Sequence, residues 1–353
     1  MNWEKAVKLI EEKSLDALIL SDGYNMRYLS GFSGAAGYLY ISPQKRIILT
    51  DSRYTVQARE ESQGFEVMEV SGNYIDALNG LMETDLARIV GIEDLAMTCH
   101  EYLQMKEKGC MKELVPLTDS VNKLRMVKTS EELKRIAKAE AIGDKAFAHI
   151  LDFIRPGQTE MDVANELGYQ MRRLGAQNLS FETIAASGEN SAKPHAVPSA
   201  RKIKNGDFLT MDFGCIYEGY CSDMTRTIVV GKASEEQKKI YTTVLHAQLE
   251  ALKAIHAGVT GCAVDKAARD LIANAGYGKC FGHGLGHSVG LYIHEDPRFS
   301  PACTTVIPEN VTMTVEPGIY VEGLGGVRIE DLVVVKKDGY ENFTHSPKQL
   351  IEL

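Results

Sequence analysis

No run of apolar residues in this chain approaches the roughly 18 to 20 needed to cross a bilayer, which sets aside an integral membrane protein. The amino terminus, "MNWEKAVKLIEEKSLDALIL", has neither an uninterrupted apolar core nor a small-residue cleavage site. It places Trp3, Val7 and Ile10 at helical spacing and reads as the first helix of the fold. Long basic runs are missing and the net charge is −9, so the electrostatic footprint of a nucleic-acid binder is absent. The seven cysteines (99, 110, 215, 221, 262, 280 and 303) are odd in number, scattered and without a C-x-x-C pair. That pattern argues against a disulfide framework and a zinc ribbon, and points to a reducing cytoplasm. The glycines of "GFSGAAG", at 31, 34 and 37, lack the G-x-G-x-x-G spacing of a dinucleotide fingerprint and read as a tight turn. Short repeats and low-complexity tracts are also lacking.

What remains is an ordinary globular composition, 44% apolar and 25% charged, over 353 residues, a length that predicts about two domains. In the first 120 residues "DALILSD", "YLYIS" and "RIILTD" read as strands and "SRYTVQAREES" as a helix, an α/β pattern. A strong helix then opens near Thr129 and Ser130 with two acids in its first turn and, counted from Ser130, an incomplete capping box ending at Leu133. The boundary is placed there, giving domains 1–122 and 123–353. Beyond it, helices follow "RPGQTEMDV" and run through "SEEQKKIYTTVLHAQLEALKAI" and "AVDKAARDLIANAG", mixed with hairpin strands, which predicts an α+β layer.

Acids recur on those strands. In "TMDFGCIYEGYCSDMTRT", Glu218-Gly219 is the natural two-residue turn. If Tyr217 pairs with Tyr220, Asp223 falls opposite Gly214, which shares a face with Asp212, so the two carboxylates project together. Such a pair repels unless a cation sits between them. Glu316 ends an apolar strand at Pro317-Gly318, and "GGVRIEDLVVV" reads as one strand with Arg328 and Glu330 on one face. Taken alone, that last pair reads as a solvated surface ion pair. In "FGHGLGHSVGLYIHEDP", His283 and His287 have zincin spacing, yet the surrounding glycines disfavour a helix and no Glu lies between them. The alternative is that the glycines bring the backbone close to a site where His287 is a ligand and His283 and His294 stand nearby. Glu295 and Asp296 are not read as ligands.

The ordered set Asp212, Asp223, His287, Glu316 and Glu330, in the contexts "MDFG", "SDMTRT", "GHSVGLYIHEDP", "VEPGIY" and "GGVRIED", resembles the M24 metallopeptidases, in their Xaa-Pro aminopeptidase and Xaa-Pro dipeptidase (prolidase) branch. The resemblance spans essentially the whole chain. It implies an α/β creatinase/prolidase-like N-terminal domain and an α+β pita-bread catalytic domain. It also implies two divalent metal ions held by those five residues. Four carboxylates offset two divalent cations, and the oxygen-rich set suits Mn2+, with Zn2+ or Co2+ as alternatives. Glu316 is then the proton shuttle, His294 the oxyanion partner and His195 a contact on the leaving side. His283 shapes the proline pocket, and Arg328 orients a ligand carboxylate or a substrate terminus. The substrate implied is a peptide with proline second, the assembly a homodimer, and nucleic acid and membrane are not partners. The aminopeptidase reading is preferred to a prolidase restricted to dipeptides. A methionine aminopeptidase fits less well because such enzymes normally lack a first domain of this size. Creatinase-like hydrolysis does without the metal set, which is intact here, and a non-catalytic binding module would usually have lost it.

Overall fold

A computed structural model describes residues 2–353, which divide into two compact units, the first ending at Arg125 and the second running Met126–Leu353. In the first, the all-buried strand Ala17–Leu20 is central to a six-stranded sheet. It pairs antiparallel with Tyr38–Ile41, which pairs antiparallel with Arg46–Thr50. On its other side it runs parallel to Ile89–Ile92. Glu66–Glu69 and Glu113–Pro116 form the two edges. The apolar patterns expose the inner strands to sequence reading, but each edge strand half-buries only its two central residues between exposed ends and carries no long apolar run. "GFSGAAG" is not a tight turn. Gly31, at φ 88°, terminates the helix Gly23–Ser30 in the left-handed conformation, and the remaining six residues are loop.

The second unit opens with the helix Ser130–Phe153, and its capping box is complete once counted one residue earlier. Thr129 accepts the Glu132 N–H and Glu132 caps the Thr129 N–H in return. This helix and Glu160–Arg173 bury Ile142, Phe147, Val163 and Leu167 against the strands Phe208–Phe213 and Met224–Val229. A second pair, Glu235–Lys253 and Gly261–Asn274, packs on Thr312–Val315, Gly318–Val321, Gly325–Arg328 and Asp331–Lys336 through Ile240, Val244, Val264 and Ile272. Helix pairs thus cover the outer faces of strands whose other faces are free to build a site.

One strand assignment is corrected. "GGVRIEDLVVV" is two strands, Gly325–Arg328 and Asp331–Lys336, in different sheets, with Ile329 and Glu330 in the break. Arg328 and Glu330 are no surface pair: they are 3% and 1% exposed, and each has its own polar partners.

In the first unit, buried Glu93 accepts N–H groups from Ser21, Asp22 and the Asn25 side chain at 2.6 to 2.9 Å. Burial dominates over those bonds and pushes its pKa up to about 7. Because the folded value is raised, the protonated form is favoured by folding. This contribution is complete below pH ~4.3, the unfolded value, and is lost as pH rises through 7. Glu93→Gln removes that titration, so the wild type should lose thermal stability relative to the variant between pH 5 and 8. Parallel melting-temperature profiles across that window would count against this.

Candidate active site

The hairpin register decides where the acids go. Tyr217 pairs with Tyr220 around Glu218 and Gly219, both at positive φ (48° and 89°), as a two-residue turn of this hand requires. Thr225 lies opposite Asp212 and Met224 opposite Phe213, the same register continued. Gly214 is obligatory here, because a Cβ would lie 1.9 Å from the Ser222 carbonyl oxygen. The parity argument therefore holds, and oxygens of Asp212 and Asp223 come within 4.8 Å of each other and of Glu330.

Glu330 reaches them from the break between its two strands. Its Oε2 accepts the Thr225 hydroxyl at 2.7 Å. The backbone around it is clamped by Arg226, which donates to the carbonyls of Glu330 and Ser346 and to Asp331 Oδ1. Asp331, itself fully buried, also accepts from Gln248, Asn342 and Lys348. Asp223 is held from behind, its N–H donating to Glu140 Oε2 at 3.2 Å. Sequence reasoning missed Arg226 and Glu140. An arginine within the strand "MTRTIV" is the signal for the first; one acid among five on the helix Ser130–Phe153 gives none for the second.

Glu316 follows its strand at the Pro-Gly break and accepts the Thr314 hydroxyl at 3.1 Å. His287, on the short strand Gly286–Ser288, has Nδ1 3.1 Å from the Ser288 carbonyl. A carbonyl only accepts, so Nδ1 carries the proton and Nε2 presents a lone pair. That lone pair faces Asp223 Oδ2 at 3.4 Å and Glu316 Oε1 at 3.5 Å, lone pair against lone pair. Burial pushes the His287 imidazolium pKa down to about 3, so protonation does not relieve the contact.

The acids carry the same strain. Burial, followed by the neighbouring carboxylates, drives Asp223 and Glu330 well above the usual range, and burial lifts Glu316 to about 7. Asp212 Oδ1 and Glu330 Oε1 are buried without any hydrogen-bond donor. The guanidinium of Arg328 is 2.7 Å from Asp212 Oδ2, and it donates to neither of those two orphaned oxygens. Hard oxygens, one imidazole lone pair and orphaned acceptors are the donor set of a divalent cation, so these residues fit the metal the sequence implies.

Arg328 also donates to the Tyr320 hydroxyl at 2.8 Å. Nδ1 of His283 is held by the Gly284 carbonyl, so its Nε2 takes the Tyr320 proton at 3.0 Å. His283 is thus tied to Arg328 through Tyr320, a residue sequence reasoning passed over. His294 stands beside His287, ring centroids 4.7 Å apart. His195, His283 and His294 line one cavity of about 720 Å³ with the four acids and the His287 imidazole, and Phe181 and Ile184 supply apolar wall. Arg298, also missed, lines it too and donates to the His294 carbonyl at 3.2 Å.

The sequence pattern of Metallopeptidase family M24 matches residues 134–337, and that of the Creatinase/Prolidase N-terminal domain matches residues 3–127. The chain belongs to metallopeptidase family M24. An Xaa-Pro dipeptidase of Pyrococcus horikoshii is 37% identical over 350 residues, 99% of this chain and 98% of that one. The solved structure of an Xaa-Pro dipeptidase from Bacillus anthracis superposes with a TM-score of 0.97 at 43% identity, covering 100% of this chain and 99% of that one. That of an X-Pro aminopeptidase from Thermotoga maritima gives 0.94 at 39% identity, covering 99% of each chain. The M24 member thus has the architecture read from its sequence, an α/β creatinase/prolidase-type domain followed by a pita-bread catalytic domain. As a metallopeptidase it works with divalent metal ions.

Binding of a divalent cation to the native state alone should raise the melting temperature. Saturation at ~100 times the dissociation constant is worth about 2.7 kcal/mol. Calorimetric melts with and without manganese should show the shift in the wild type and its loss in Asp223→Ala and Glu330→Ala; an equal shift in either variant would mean the ion binds elsewhere.

Proposed function

We propose that this M24 enzyme hydrolyses the Xaa-Pro peptide bond at the cavity built around Asp212, Asp223, His287, Glu316 and Glu330. The convergence of these five residues, with their uncompensated oxygens, carries the reading. They would hold two divalent ions, Mn2+ by the preponderance of oxygen donors. Bound there, such ions acidify water and polarise the scissile carbonyl.

The protein's own groups do the rest. Glu316, which lines the cavity with Nε2 of His287 3.5 Å from its Oε1, is placed to take the proton of the attacking water and to pass it to the proline nitrogen as the C–N bond breaks. The product nitrogen becomes a secondary amine, and the carbonyl carbon becomes the carboxylate of the released residue. His294 donates to the carbonyl oxygen as negative charge develops on it. His195 contacts the leaving side, while His283, fixed by Tyr320, shapes the wall that receives the proline ring. Arg328 orients Asp212. A pocket for the ring matters because an Xaa-Pro bond has no N–H for a peptidase to read.

The preferred reading is aminopeptidase-like, with chain allowed beyond the proline. The free state of all seven cysteines supports a reducing, cytoplasmic location. None of the described residues forms a helix long and apolar enough to cross a membrane. The homodimer is proposed on the resemblance to the branch alone. Manganese-loaded enzyme given Xaa-Pro and Xaa-Pro-Yaa peptides in parallel should release Xaa from both. Turnover of the dipeptide alone makes it a prolidase, and hydrolysis of neither sinks the assignment.

Arg298 favours that second, dipeptidase reading. Arg298 lines the cavity, and the free carboxylate of an Xaa-Pro dipeptide is a natural partner for a guanidinium. A hydrogen bond to a charged group is worth about 1.5–3 kcal/mol, roughly a 10- to 100-fold effect. Arg298→Ala should therefore raise KM for Xaa-Pro by at least ~10-fold while leaving Xaa-Pro-Yaa nearly unaffected. Equal changes for the two peptides would remove Arg298 from carboxylate recognition.

A further inference from the structure

We infer that Lys128 and Glu295 form a positioning pair that sets His287 and His294 in their working geometry, an inference that deepens the peptidase reading and rests on it. Glu295 follows His294 directly, yet it turns away from the cavity that His294 lines. Its side chain is 4% exposed and that of Lys128 1%. The Lys128 ammonium donates to Glu295 Oε2 at 3.0 Å and to the Ser288 hydroxyl at 3.1 Å. Ser288 is the residue after His287, and its carbonyl takes the His287 Nδ1 proton. One ammonium thus ties the residue that follows the first histidine to the residue that follows the second.

The tie sits where the strand pairing is irregular. His287 lies opposite Arg298, but Ser288 lies opposite Glu295, a register shift between the strand that carries His287 and the strand Glu295–Phe299 that His294 immediately precedes. A bulge of this kind re-aims side chains and weakens the ladder, so backbone pairing alone does not fix the angle between the rings. The segment 289–293 closes over the carboxylate. Glu295 Oε1 accepts the Tyr292 N–H at 3.3 Å, and a Cβ on Gly290 would sit 2.5 Å from Oε2. Gly290 is glycine because a carboxylate held by Lys128 has nowhere to retreat. An apolar pair of equal volume could serve stability as well as a buried ion pair does. It would lack the directional bonds that orient Ser288 and the backbone after His294.

The test separates stability from positioning. Lys128→Met alone should lower the melting temperature by stranding a buried carboxylate, and Lys128→Met with Glu295→Gln should restore it. In both, kcat on Xaa-Pro-Yaa should stay down by at least ~30-fold, the scale of a displaced catalytic group, with KM within ~3-fold. Gly290→Ala, which displaces the carboxylate while keeping both charges, should lower kcat in the same sense. In metal-free protein, 15N spectra of the imidazoles should show His287 as a single Nδ1–H tautomer in the wild type and as a mixture in the double variant. A kcat that recovers together with the melting temperature, or a His287 tautomer unchanged in the double variant, overturns the inference. The spectra need neither metal nor substrate. Wild-type protein inactive on Xaa-Pro peptides would therefore sink the peptidase reading while this pair still stood or fell on the tautomer.

Discussion

The mutual repulsion of buried carboxylates is the constraint around which the second unit is organised. Asp212, Asp223 and Glu330 converge to within 4.8 Å, and Glu316 adds a fourth charge that electrostatically disfavours ionised Glu330. Left alone, such a cluster would open or take up protons. The fold prevents opening by fixing the backbone as well as the side chains that Thr225, Arg328 and Thr314 hold. Arg226 grips the carbonyl of Glu330, Glu140 grips the amide of Asp223, and both donors and acceptors are buried. Thr344 links the two braces, since its hydroxyl donates to Glu140 and accepts the Leu332 N–H. The acids are thereby held where their charges are least comfortable, an arrangement that stores affinity for a cation.

Much of this was legible in the sequence where a local rule fixes geometry. A two-residue turn at Glu218-Gly219 determines strand register, and register determines face, so the closeness of Asp212 and Asp223 followed from counting. The glycines around His283 and His287 ruled out a helix, and the chain there is loop and short strand. Buried strands such as Ala17–Leu20 were visible because burial on both faces demands a continuous apolar run.

Where the sequence misled, a long-range contact overrode the local pattern. Arg328 and Glu330 alternate with Val327 and Ile329 as a half-exposed strand would, yet both are buried, because the strand breaks at Ile329 and the polar face meets another sheet. Alternation identifies two faces and says nothing of what covers the second. The capping box at Thr129 was displaced by one residue because two hydroxyl residues stand side by side, and only the reciprocal bond with Glu132 distinguishes them. Glu140, Lys128 and Tyr320 left no mark, since each takes its place in the site from a partner 83, 167 and 37 positions away respectively.

Charge also explains why the arginine beside the acids does not substitute for metal. The guanidinium of Arg328 commits four of its five N–H donors to Asp212, Tyr320, Thr225 and the Pro194 carbonyl, none of them on Glu330 or Asp223. Four carboxylates and this one cation leave three negative charges in a buried space. A single divalent ion leaves the residue set anionic, which would repel an electron-rich carbonyl. The two divalent ions proposed for this site would carry it one charge past neutrality, so the cavity would attract the developing negative charge on a carbonyl oxygen and still neutralise its own acids. The number of carboxylates, counted with the arginine that is already paired, thus matches the charge of the two ions proposed above.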